Sequence, residues 1–253
     1  MIEVENLTRS FGSTMAVKGI TFTVADGEIY GLLGPNGSGK STTMKILAGI
    51  LRPTSGRVVV GGIDVGENPV EVRRITGYVP ETPVLYESLT PVEFFNFVGS
   101  VRGIPREELQ ERVETFVRAF GIEKYLGEMI GSLSFGTKQK VSLIAGMIHD
   151  PGVLILDEAM NGLDPKSARI LRELLLQFRE EGRSIVFSTH VLALAETICD
   201  RVGVIYNGEI IAEGTVEQLK EFAHEESLED VFLKLTESQD EVAGIVRALK
   251  DAL

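Results

Sequence analysis

The chain has 253 residues, a length that suits one large α/β domain or a core carrying a subdomain and a tail. Hydrophobic residues make up 43% and charged residues 25%, which excludes disordered and fibrous classes; no apolar run approaches the roughly 18 residues of a bilayer span, and the start Met1-Ile2-Glu3-Val4-Glu5 has no signal-peptide character, so a soluble, cytoplasmic protein is expected. The formal net charge of -12 repels nucleic acid and offers no basic anchor for acidic lipids, and the single Cys199 permits no internal disulfide and reads as a small buried residue.

The first informative element is a strand from Glu28 to Leu33, with Ile29, Leu32 and Leu33 apolar. It runs into Gly34-Pro35-Asn36-Gly37-Ser38-Gly39-Lys40-Ser41-Thr42, a full GxxxxGK[ST] pattern, and then into a helix over Ser41 to Ala48. That strand, loop and helix context makes the run a phosphate-binding loop. Gly34 and Gly39 are expected at positive φ, turning successive N-H groups inward, with the partial positive charge of a helix N-terminus behind them. Lys40 is expected to reach the β and γ phosphates of a nucleoside triphosphate, and the Ser41 hydroxyl to ligate Mg²⁺.

Further along, the runs Val58-Val59-Val60, Val153-Leu154-Ile155-Leu156 and Ile185-Val186-Phe187 alternate with helical signals and predict an α/β fold, a mostly parallel sheet flanked by helices with the loop at its carboxyl edge. Strand signals vanish between Pro83 and about Ile148, which predicts an inserted helical subdomain at about 84-148. Its first helix opens on the capping-box run Thr90-Pro91-Val92-Glu93 and carries Phe94, Phe97, Val98 and Val101 at helical spacing. A second follows Pro105, with Leu109, Val113, Phe116, Val117 and Phe120 on one face. These aromatics are read as core. The buried run Val153 to Leu156 ends in Asp157-Glu158, two acids at a strand's exposed end: Asp157 to hold Mg²⁺ through its water shell, Glu158 to polarise an attacking water as general base. His149 and His224 match no motif and are read as surface residues. From about Glu213 the chain turns polar and acidic, with two amphipathic stripes, Leu228, Val231, Phe232 and Leu235, then Val242, Ile245, Val246, Leu249 and Leu253, expected to pack on the parent domain or a second subunit.

The order of these motifs resembles the ATPase subunit of ATP-binding-cassette (ABC) transporters over nearly the whole chain to about Glu213. Leu133-Ser134-Phe135-Gly136-Thr137 stands where that family carries its LSGGQ signature, Asn161-Gly162-Leu163-Asp164 matches the D-loop, Ser188-Thr189-His190 ends on the switch histidine, and Gly77-Tyr78-Val79-Pro80-Glu81 matches the segment that usually ends in glutamine. Phe11 lies where an aromatic stacks on adenine. The resemblance implies a P-loop ATPase core over 1-212 with an N-terminal antiparallel β part, a helical extension over 213-253, ATP and Mg²⁺ as cofactors, Glu81 near the metal, and His190 as a γ-phosphate sensor orienting Glu158. It also implies a second ATPase subunit, in the simplest case an identical chain, whose Ser134, Phe135, Gly136 and Thr137 close over the ATP held by the first. Asp164 serves both as D-loop residue and as N-cap of the helix behind it.

The partners implied are integral membrane permease subunits, which would hold the protein at the inner face of the cell membrane. Phe135, Thr137 and Glu81 depart from the family consensus, as do Ala159 and Met160 after the acidic pair. The glutamate after Gly-Tyr-Val-Pro and the run Leu228 to Leu233 resemble the exporter branch with a separate permease. Two other readings compete: a soluble ABC ATPase acting on ribosomes or nucleic acid, against which the acidity and the single phosphate loop weigh, and a non-enzymatic module that dimerises on ATP, against which Lys40, Asp157, Glu158 and His190 weigh.

Overall fold

A computed structural model describes residues 1-236; the second predicted tail stripe, Val242 to Leu253, lies outside the described residues. Two sheets form. The first is antiparallel, with β1 (Ile2–Phe11), β2 (Thr14–Val24), β4 (Ser55–Val60) and β5 (Ile63–Asp64) in the order β2-β1-β4-β5. The run Val58 to Val60 belongs here and not to the parallel sheet: β4 pairs Ile2 and Val4 of β1, an apolar match that the run alone could not specify.

The second sheet has the order β10-β9-β3-β8-β7-β6. Its members are β3 (Ile29–Leu33), β6 (Thr76–Val79), β7 (Val153–Asp157), β8 (Ser184–Thr189), β9 (Arg201–Tyr206) and the antiparallel edge strand β10 (Glu209–Gly214). All residues of β3, β7 and β8 are buried, and alternation divides them between two layers. Ile29, Leu154, Leu156, Ile185 and Phe187 pack on one side with α3 (Pro91–Arg102), α4 (Arg106–Phe120), α5 (Phe135–Met147) and α6 (Pro165–Glu180). Tyr30, Leu32, Ile155 and Val186 pack on the other with the antiparallel sheet and α1 (Lys40–Leu47). An unbroken apolar run is therefore the expected code for these strands, since neither face meets water.

Helix α3 starts as its sequence predicts. Thr90 accepts from the Glu93 N-H, the Glu93 carboxylate accepts from the Thr90 N-H at 2.8 Å, and Pro91 occupies the first turn. Its packing differs from expectation: Phe94 and Phe95 are buried, whereas Phe97 is 46% and Val101 70% exposed. The helix turns Phe95 and Gly99 toward its helical neighbours, with Gly99 packed so closely on Leu109 that a larger residue there would displace the leucine side chain, and this leaves the Phe97–Val101 line facing outward.

Beyond β10 lie α8 (Val216–Ala223) and α9 (Leu228–Leu235), whose Val216, Leu219, Leu228 and Val231 cover Val202 and Val204 of β9. His149 is not the surface residue expected. It is half-buried at the end of α5, one ring nitrogen 3.0 Å from the Thr76 carbonyl and the other buried without a partner, and burial with the charge of Arg102 lowers its pKa to about 4. Between pH 6.5 and about 4 the unfolded chain binds a proton that the folded chain does not, so His149 stabilises the fold at neutral pH and the effect is lost on acidification. The slope it adds is at most about 1.4 kcal/mol per pH unit. Urea titrations at pH 7 and pH 5 should show a smaller pH-dependent loss of stability in His149→Asn than in the parent.

Candidate functional site

Register places the chemistry at one edge. β3 pairs β8 with Leu33 opposite Thr189, and β7 pairs β8 with Asp157 opposite Ser188, so the residues just past three strand ends, Gly34, Glu158 and His190, emerge together. The phosphate-binding loop fills the space after β3. Gly37 (φ +80°) and Gly39 (φ +112°) take the left-handed geometry; Gly34 does not, and is glycine for a different reason. A Cβ there would strike the Ile205 carbonyl and come within 2.7 Å of the Ser38 hydroxyl. Gly39 caps α1 with no side-chain acceptor, which leaves the helix's first N-H groups free for an anion.

A cavity of about 450 Å³ opens over this loop, lined by Phe11, Asn36, Gly37, Gly39, Lys40, Ser41, Thr42, Glu81 and Glu158 among others. Lys40 is buried, with Nζ donating to the carbonyls of Gly34 (2.7 Å) and Pro35 (3.1 Å) and standing 3.5 Å from Glu158 Oε1. Ser41 Oγ lies 3.2 Å from Asp157 Oδ1, which also accepts from Ser188 Oγ at 2.7 Å. Burial raises the Asp157 pKa, opposed by the two serine hydroxyls. A cation beside the carboxylate would offset that desolvation. A hydroxyl and a buried carboxylate side by side fit Mg²⁺, which takes one or two protein ligands and completes its shell with phosphate and water.

Glu158 is buried and sits at φ +51°, a conformation that glycine would adopt freely and glutamate does not. Its N-H donates to Ser188 Oγ (3.0 Å), and Asn161 N-H donates back to its carbonyl (3.0 Å), which together hold the turn. Oε2 lies 2.8 Å from Nδ1 of the half-exposed His190. The histidine therefore reaches the carboxylate that the water would need.

Ser134 caps α5, accepting from the Thr137 N-H, and is exposed, but none of residues 133-137 lines the cavity. Instead they pack on the D-loop. A Cβ on Gly136 would meet the Gly162 carbonyl at 2.5 Å, and one on Gly162 would meet the Phe135 ring at 2.5 Å. Buried Gln139 donates to the Ala159 carbonyl (2.9 Å), and Lys140 pairs with Asp164 at 2.6 Å. Asp164 accepts from the Ser167 N-H at the start of α6, and these partners, Lys140 foremost, hold its carboxyl well below the usual range. Asp164→Ala should lower stability by about 1 kcal/mol, as loss of a helix N-cap does, measured by denaturant unfolding.

Sequence reasoning did not single out Ser188, Gln139 or Lys140. Ser188 was findable, as a hydroxyl at the end of a buried strand directly before His190. Gln139 gives no such sign, since its partner is a backbone carbonyl.

A family model described as ABC transporter matches residues 17-161. The ABC transporter ATP-binding protein NatA of Bacillus subtilis (strain 168) is 34% identical over 92% of this chain and 97% of its own. The chain belongs to the family of ABC transporter ATP-binding subunits. Another relative in the same organism, the ABC-type transporter ATP-binding protein EcsA, is 35% identical over 93% of this chain and 96% of its own. Among solved structures, an ATP-binding subunit of an ABC transporter superposes with a TM-score of 0.88 at 34% identity, covering 93% of this chain and 99% of that one. An ATP-binding cassette captured as a dimer after hydrolysis, with ADP and Pi bound, gives 0.76 at 25% identity, covering 85% and 98%. This ABC subunit is an ATPase by family, and its P-loop core with two sheets is the family's fold. Among the described residues no helix is long and apolar enough to cross a membrane.

Proposed function

We propose that two copies of this chain close on ATP, each phosphate-binding loop facing the other copy's signature, and that the cycle of closure and hydrolysis drives a separate integral membrane permease, as an exporter. The observation that carries this reading is a site with one side supplied: Lys40, Ser41 and Glu158 line one cavity, with Asp157 held against Ser41 and His190 against Glu158, while Ser134 and Gly136 stand outside it. The dimeric cassette among the structural relatives supports the pairing. The subunit would lie in the cytoplasm at the inner face of the membrane, through its permease.

In this reading Lys40 leaves its loop carbonyls for the β and γ phosphates, and α1 presents its free N-H groups to them. Ser41 and Asp157, with Glu81 nearby, would hold Mg²⁺, which would supply positive charge to the phosphates. Glu158 accepts a hydrogen bond from the water aligned for in-line attack, and His190 holds that carboxylate in place. Phe11 would stack on adenine, and the partner's Ser134 and Gly136 would close over the γ phosphate. Residues 84-148 would act as one inserted subdomain and those after β10 as an extension.

A docking surface for the permease is supported by the groove beside α3, about 630 Å³, walled by Phe94, Phe97, Val98, Val101, Val84 and Ile50 and reaching Ser41, Glu81 and Asp157 at its floor. Apolar exposure on this scale, at 70% for Val101 and 81% for Val84, marks a contact site. Its floor is the wall of the nucleotide site, so a membrane element seated there would feel the nucleotide state. Val101→Glu should abolish co-purification with the permease and its stimulation of phosphate release, with ATP binding retained. Phosphate release that survives in full without any membrane partner, and that nucleic acid stimulates, would favour the soluble reading.

A further inference from the structure

We propose that Arg9 is a positioning residue for the nucleotide base. The proposal rests on the reading of Phe11 as the adenine platform. Phe11 lines the cavity and is 47% exposed, so a large part of its side chain is open to a base. An exposed phenylalanine at a strand end ordinarily samples several rotamers, and stacking a base on it would cost that freedom.

Arg9 removes the freedom beforehand. Its guanidinium carbon stands 4.6 Å from the centroid of the Phe11 ring, within cation-π range. The guanidinium is itself tethered, Nη1 donating to the Arg52 carbonyl at 3.1 Å. Its Nε is buried without a hydrogen-bond acceptor, which is tolerable where the π face of Phe11 lies against the group. Arg9 does not line the cavity. The guanidinium therefore lies against the ring without itself lining the cavity.

A register shift between Arg9 and Ser10 in the pairing with β2 turns the strand end, and the neighbouring Ser10 N-H is fixed by Thr54 Oγ1 at 3.0 Å. Backbone, cation and ring thus form a preset stack to which the base adds one more layer.

The test is calorimetric titration of the full chain, with Mg²⁺ present, by ATP and by inorganic tripolyphosphate, which has the phosphates and no base. Arg9→Met should weaken ATP binding about two- to tenfold, the range expected when one side chain must be ordered on binding, and leave tripolyphosphate binding unchanged. Arg9→Lys, which keeps a cation, should recover part of the loss. In a Phe11→Ala background, Arg9→Met should add nothing. Arg9→Gln serves as a second polar variant should the methionine form fail to fold.

Equal weakening of ATP and tripolyphosphate by Arg9→Met would overturn the proposal, showing a general electrostatic or structural effect. So would wild-type ATP affinity in Arg9→Met alongside weakened ATP binding in Phe11→Ala, an outcome that leaves the Phe11 platform standing. Wild-type affinity in Phe11→Ala itself would remove the platform and the proposal together.

Discussion

Glu158→Gln is expected to lower phosphate release by about 10²- to 10⁴-fold, the range for removing a positioned general base, while ATP binding is kept or tightened. The substitution preserves size and leaves the backbone at Glu158 held by Ser188 and Asn161, so the strained turn at φ +51° should persist. What disappears is one negative charge buried 3.5 Å from Lys40 and facing the cavity where the phosphates bind. Removing it favours the anion and disables the water. The ATP-bound dimer should therefore accumulate, visible as a shift in size-exclusion elution with ATP and not with ADP. Hydrolysis at the parent rate would show that another group aligns the water.

A mixing experiment should give the second large effect. Lys40→Ala removes the phosphate anchor from the loop side. Ser134→Asp keeps a good N-cap acceptor for α5 and places a carboxylate where the partner's γ phosphate would sit. Each variant alone should hydrolyse ATP at a small fraction of the parent rate. Mixed, they form heterodimers in which the intact loop of one chain faces the intact signature of the other, and phosphate release should return. No recovery on mixing would argue that the two elements never share a nucleotide.

The candidate site was more legible in the sequence than its surroundings. Asp157 ends a buried strand, Glu158 and His190 directly follow one, and Lys40 ends the loop after another; a buried parallel strand announces itself as an unbroken apolar run whose end sits at the carboxyl edge. Capping residues were legible for the same local reason: Thr90, Ser134 and Asp164 each cap their helix through a contact spanning three residues. Long-range choices were not. Val58 to Val60 reads like a parallel strand until Ile2 and Val4 are seen beside it. Phe97 and Val101 share helical spacing with Phe94, yet the groove on their side stays open, and periodicity says which residues align but not whether a neighbour covers them. The loop pattern suggests a left-handed φ for Gly34, but its constraint is the nearby Ile205 carbonyl, a contact between residues far apart in sequence.

The bare N-terminus of α1 has a thermodynamic consequence. A helix that begins on Gly39, with no side chain to accept its first N-H groups, keeps part of its stability on loan to the solution. ATP belongs to the protein's architecture as much as to its chemistry, because binding only the folded form at about 100 times Kd adds about 2.7 kcal/mol to stability. The melting temperature of this subunit should accordingly track the nucleotide concentration around it, and a cell depleted of ATP would meet a measurably softer protein.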